Sequence, residues 1–368
     1  MFLALREIRH ARLRFALIAA MIVLVSSLVF IISGLATGLS TGNTAAIYSM
    51  PVDRLAVSAD SDRRLDRSTV SVSDSKGVMA VDGVTLAEPI GISAANVKRD
   101  GHDELIGASL FGITPTGVMM PDITSGTAFT ASTAVNPVVI DETLTSDGVH
   151  LGDTITITPG DVQLTVVGIT KGETYRLAPV IFMPLSLWQT LQPQQAGLPT
   201  DPATAILVNG SSSAFAAIPQ QVTDIEVATK SEVANQIPGE SAQNSTLLMI
   251  QIFLVVIAAG IIAAFFYIIT LQKTGELGVM KALGAHTGYL AQALIVQAVI
   301  LTVIGVAIGI GIAAVIAALV GNAVPYHISA PQMLEFGGVL LMVAILGTAL
   351  SLTRIARIDP LDAINKVA

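Results

Sequence analysis

The 368-residue chain contains no cysteine, so disulfides, thiolate metal sites and cysteine nucleophiles are all excluded. Charge is scarce too. Asp, Glu, Lys and Arg make up 12% of the residues while hydrophobic residues reach 52%, whereas a soluble protein carries about 25% charged residues. That balance points to an integral membrane protein. Also missing are a GxxxxGK[ST] phosphate loop, HExxH and GxSxG, so no nucleotide cradle of the Walker kind and no familiar hydrolytic motif is encoded. The five histidines, at 10, 102, 150, 286 and 327, are scattered and fall at no metal-ligand spacing. The chain therefore reads as a non-enzyme, with no nucleic acid among its expected partners.

What is present is a set of long apolar runs. Thr246 to Phe266 and Leu290 to Pro325 hold no Asp, Glu, Lys or Arg, and each exceeds the ~20 residues a helix needs to cross a bilayer core. A first run starts at Phe15 and continues past Gly38. It is too long for the apolar part of a signal peptide, about 7 to 15 residues, and no small-residue cleavage site ends it. A fourth runs from about Phe336 to Leu352. The expected order is a basic amphipathic segment at 1–14, spans at 15–45 and 244–271 around an outer domain at 46–243, a charged loop at 272–288, a span at 289–321, a short outer loop at 322–335, a last span at 336–353 and a tail at 354–368.

The net charge of −8 hides a division. Residues 1–14, 272–288 and 353–368 carry nine Lys/Arg against four Asp/Glu, whereas 53–243 carries ten against twenty-two. By the positive-inside rule the three short basic segments, and so both termini, lie in the cytoplasm and the acidic block lies outside. Gly34-Leu-Ala-Thr-Gly38 in the first span, and Gly305, Gly309 and Gly311 in the third, have the small-xxx-small spacing that lets two helices approach closely in lipid.

The region 53–243 reads as one α+β domain. Strands are expected at Arg54–Val57, Val84–Ala87, Pro137–Ile140, Thr154–Thr158, Gln163–Ile169 and Val180–Met183, and helices near Ser186–Gln192 and Ser231–Gln236. Gly152-Asp153 and Pro159-Gly160-Asp161 supply turns between strands. The loop after the second span, LQKTGELGVMKALGAHTGY, has helical spacing through Leu277, Met280, Lys281 and Gly284. Its apolar residues Leu277, Val279, Met280 and Leu283 are available to a cytoplasmic partner.

That run, KTGELGVMKALGA, with the spans around it, resembles the FtsX/MacB-type permeases of ABC transporters. VVIDETLTSDGVHLGDTITITPGDVQLTVVGIT, APVIFMPLSLWQ and the ending IDPLDAI are similar to the same family. The resemblance implies a type VII architecture: four transmembrane helices with a large extracytoplasmic α+β domain between the first and second. It implies that Lys273, Glu276, Leu277, Met280, Lys281 and Gly284 belong to a coupling helix seated on a separate ATPase subunit. Two copies of that subunit, using Mg-ATP, serve a permease homodimer in a bacterial plasma membrane.

MFLALREI, IISGLATGLS, the IPG at residues 237 to 239 and FFYIITLQKTGELGVMKALGA are similar to the haem-efflux members of the family. This implies haem as the transported substrate, entering from membrane lipid, with no intrinsic cofactor. The nearly uncharged spans fit a lipophilic cargo, because ion and proton pathways usually place ionisable groups in the membrane. Without cysteine, an iron ligand must be Tyr, Met, His or a carboxylate. The candidates are Met50, Glu240, Tyr175 and Tyr48, with Phe30 and Met249 lining an apolar slot. Each has a plainer reading: an interfacial tyrosine as membrane anchor, Met50 as packing, Glu240 as a solvated group or a helix cap, and Phe30 and Met249 as lipid-facing packing. Relatives are expected to carry a Tyr after the IPG, where this chain has Glu240. Two other functions share the layout: a transducer of the FtsX type acting on an outer cell-wall enzyme, and an exporter of a lipid, lipoprotein or peptide.

Overall fold

The computed structural model describes residues 12–132, 134–192, 199–272, 275, 280, 283–284, 286–320 and 325–356. Most of the N-terminal basic segment, the tail from 357 and, in the coupling loop, Lys273, Glu276, Leu277 and Lys281 lie outside the described residues. The chain forms two compact units, one of residues 1–38 with 245–368 and one of residues 39–244.

The helices long and apolar enough to span a membrane are Phe15–Tyr48, Glu240–Ile269, Ala291–Val320 and Ala330–Ala349, all in the first unit except residues 39–48 and 240–244. They are parts of α1 (Arg12–Tyr48), α7 (Glu240–Gln272), α8 (Thr287–Val320) and α9 (Ala330–Ala356). Such helices are apolar on all sides, as expected where both lipid and neighbouring helices are greasy. Leu17, Leu24, Phe253, Val256 and Leu319 face outward, while Ile18, Ile22, Ala258, Ile262, Leu301 and Ala344 form the centre. Because lipid is as apolar as leucine, association depends on close packing and not on the hydrophobic effect. Gly305 of α8 is that device: a Cβ there would sit 2.5 Å from the Ile22 side chain, and its carbonyl accepts a hydrogen bond from Ser26 Oγ at 3.2 Å. Gly309 lies in the same way against Ser26, and Gly347 against the Ala263 backbone. Gly311 meets nothing.

Gly34 and Gly38 receive an irregular segment and not a helix. Tyr326 packs on Gly34 and donates its hydroxyl to the Phe30 carbonyl at 3.2 Å, His327 N–H donates to the Gly34 carbonyl, and Pro325 covers Gly38. The last helix begins at Ala330, six residues before the expected span at 336. Gln332 reaches back to accept from the Ser329 N–H at 3.1 Å, and this capping contact starts a helix that carries exposed Glu335 on its surface.

The second unit is built on an eleven-stranded mixed sheet. Its strands include β1 (Arg54–Ser58), β3 (Val84–Arg99), β4 (Ile106–Ile113), β6 (Pro137–Asp141), β7 (Thr154–Thr158), β8 (Val162–Thr170), β9 (Thr174–Tyr175), β10 (Ala178–Pro184), β12 (Ala205–Gly210) and β13 (Ile225–Thr229). The main path runs β13-β1-β12-β3-β4-β10-β6-β8. β8 alternates buried and half-buried residues, the period-two pattern of a strand with one face on a core. β3 reaches Arg99, well beyond the expected Ala87. Pro89 is tolerated because there β3 is paired only with β12, while β4 joins from Gly91 onward. The turns fall where the glycines demand them: Gly152 and Gly160 have φ of 89° and 120°, and Asp161 after them 52°.

Candidate functional site

The end of α1 and the residues just after it, Leu39 to Met50, belong to the second unit and are gripped by three other parts of it. The first is Glu240, in the opening turn of α7 and only 2% exposed. Its Oε1 accepts from Ser40 Oγ at 2.9 Å and from Asn244 Nδ2 at 2.8 Å, and its Oε2 accepts from Asn43 Nδ2 at 2.5 Å. A buried carboxylate is costly unless donors surround it. Here three do, two of them one helical turn apart on α1.

The second grip is the turn after β9. Arg176 and Leu177 both adopt left-handed backbone, with φ of 54° and 61°, a strained choice for side-chain-bearing residues. The geometry aims two N–H groups at the helix: Arg176 donates to the Asn43 carbonyl at 3.1 Å and Leu177 to the Gly42 carbonyl at 3.0 Å. Just before them, Glu173 accepts from Ser49 Oγ at 2.8 Å. Burial pushes the Glu173 carboxyl above its usual range, with Asp141 and Asp122 adding to the rise and the Ser49 bond opposing it. The third grip is Lys230, whose ammonium donates to the Tyr48 and Met50 carbonyls at 3.3 and 2.9 Å. A cation there satisfies carbonyls that a helix end leaves free.

The four residues singled out as iron ligands fall in different surroundings. Met50 is 1% exposed and belongs to the core of the second unit with Leu55, Phe182 and Ile237, so its thioether is closed off. Tyr175 lies in the same core, edge-on to Phe111 with centroids 5.8 Å apart. Burial drives its phenol up to about 12. Tyr48 is exposed, and Glu240 is committed to the hydrogen bonds above. Phe30 is fully buried, while Met249 is exposed. Of the coupling residues, Met280 is half-buried in helix and Gly284 sits in a turn with φ of 94°. Ser40, Asn43 and Lys230 were not singled out beforehand. The local hint was that Ser40, Asn43 and Thr44 recur at helical spacing where small polar residues crowd the last turns of the helix.

The family model of the MacB-like periplasmic core domain matches residues 15–234, and that of the FtsX-like permease C-terminal matches residues 248–360. A hemin transport system permease protein, HrtB, of Staphylococcus epidermidis is 29% identical over 365 residues, covering 99% of each chain. The protein of the same name from Staphylococcus haemolyticus is 27% identical over the same share. An ABC transporter permease of Mycobacterium tuberculosis is 24% identical over 98% of each chain. Among solved structures, the periplasmic region of MacB from Actinobacillus actinomycetemcomitans aligns with 51% of this chain and 93% of its own at 14% identity and a TM-score of 0.37. The extracellular domain of the noncanonic ABC-type transporter YknZ from Gram-positive bacteria aligns with 44% of this chain and 90% of its own at 17% identity and a TM-score of 0.34. With one of its two family models covering more than half of the chain, and four apolar helices around an α/β domain inserted after the first, this integral membrane protein belongs to the FtsX/MacB-type permeases.

Proposed function

We propose that the chain is the permease subunit of an ATP-driven ABC pump that expels haem sideways from the bacterial cell membrane. The observation that carries this reading is the likeness, along 99% of both chains, to proteins named for hemin transport. The absence of Asp, Glu, Lys and Arg from 15–48, 241–272 and 287–325 supports a lipophilic cargo. In this reading both termini are cytoplasmic and two copies pair through their first and second spans. Each copy seats an ATPase subunit, which hydrolyses Mg-ATP, beneath Lys273, Glu276, Leu277, Met280, Lys281 and Gly284. Closure of the two ATPases drives the spans together and pushes haem outward.

Haem is substrate here, and the iron-facing group is Glu240. Ser40 and Asn244 share its Oε1, so releasing that oxygen frees a ligand lone pair while Asn43 still holds Oε2. Tyr48 is the second candidate because its ring is already exposed. Met50 acts as a ligand only if the core around it opens, and Tyr175 only if its phenol loses a proton that burial helps it keep.

The test is hemin tolerance in cells lacking the gene. Wild type restores it, and Glu276→Lys or Gly284→Trp does not, although both variants insert normally. Unchanged tolerance in the deletion strain, with a defect in cell division instead, would replace export by transduction to an outer enzyme.

A further inference from the structure

The second unit contains a cavity of about 650 Å³ that shares only Tyr175 with this transport scheme. Its size falls within the range of small-molecule sites, about 300 to 1,000 Å³. The apolar part of its wall comes from Leu65, Ile92, Trp188, Pro199 and Pro202. Trp188 is held there from two sides: Gly91 and Gly112 admit its ring against the strands, and its indole N–H donates to Ser93 Oγ at 2.9 Å.

Most polar groups in the wall are already engaged inside the protein. Ser68 Oγ donates to the Thr204 carbonyl, Thr204 Oγ1 to the Ile92 carbonyl, and Ser109 Oγ to the Tyr175 carbonyl. Asp66 is held by Arg64 through two hydrogen bonds, at 3.1 and 2.8 Å, and its charge also acts on Arg176 and Tyr175 beside it. The groups left without a hydrogen-bond partner among the described residues include two adjacent donors, the Tyr175 phenol and the Arg176 guanidinium. The left-handed turn that ties Arg176 to Asn43 also fixes these two donors at the cavity. A phenol kept protonated by burial has a proton to donate, and a guanidinium, which has donors only, prefers an anionic acceptor.

We infer that this cavity binds a flat, apolar carboxylate, its body against Trp188 and Ile92 and its carboxylate accepting from Tyr175 and Arg176. The site is independent of the cargo reading and would stand if haem were not exported. Because its rim is hydrogen-bonded to the outer end of α1, occupancy stiffens the contact between that helix and the domain.

Trp188 is the chain's one tryptophan, so its fluorescence reports the site directly. The probe is 1-pyrenebutyrate, titrated into the full-length protein in detergent micelles. Saturable quenching is expected, weakened about tenfold in Arg176→Met, the order of losing one charge-assisted hydrogen bond. The methyl ester of the probe should be weakened similarly. Ala94→Phe, at an exposed position on the wall, should abolish binding while thermal unfolding stays unchanged. Quenching that only follows micelle partitioning, or is equal for acid and ester, or survives Ala94→Phe, overturns the proposal.

Discussion

Glu240→Ala tests whether the outer ends of the first two spans are joined by a charged hydrogen-bond knot. The substitution deletes the acceptor of three donors and leaves the amides of Asn43 and Asn244 in a site only 2% exposed at residue 240. A hydrogen bond to a charged group contributes about 1.5–3 kcal/mol, but the three share one carboxylate, and its removal also recovers the cost of burying the charge. The expected net loss is therefore about 3 kcal/mol. Glu240→Gln should cost less, about 1 kcal/mol, because Asn43 can flip its amide and accept from the new NH2 group. The assay is unfolding in mixed micelles at increasing SDS fraction, run as a double-mutant cycle with Asn43→Ala. Coupling of about 1.5 kcal/mol or more is expected, since Asn43 binds its own oxygen of the carboxylate. Additivity within about 0.5 kcal/mol, the behaviour of independent sites, would refute the knot, as would a neutral Glu240→Ala.

Gly309→Leu should drive a branched side chain into Ser26 on α1 and lower bundle stability by about 2 kcal/mol or more, read by the same unfolding assay, while Gly311→Leu at an open position stays near neutral. Glu173 has a folded carboxyl pKa raised mainly by burial. Its ionisation therefore costs stability as pH rises above the ordinary carboxylate range, and that cost vanishes below it. Glu173→Gln should raise the thermal midpoint at pH 7, with the gain shrinking as pH falls; a gain independent of pH would refute the assignment. Lys230→Met should cost about 1 kcal/mol and speed hydrogen exchange at the end of α1, because the Tyr48 and Met50 carbonyls lose their donor.

Local sequence was sufficient where local forces decide. Four stretches too apolar for water had to become spans, and Thr154–Thr158 and Val162–Thr170, with their alternating pattern and the Pro159-Gly160-Asp161 turn, had to pair as a hairpin. The strands Ile106–Ile113, Ala205–Gly210 and Ile225–Thr229 were not legible in advance. The first two are buried along most of their length and show no alternation, so their apolar runs do not separate strand from helix.

Side-chain roles divided along the same line. Composition alone settled that no thiol and no Walker loop is available to the chain. It could not tell that Met50 is sealed in a core or that Glu240 is met by Ser40 and Asn43, 200 and 197 positions away. Nor could it tell that Tyr175 and Arg176 are the donors left facing a cavity. Hydropathy is a property of neighbours in the chain, whereas the satisfaction of a buried polar group depends on which distant donors folding brings to it.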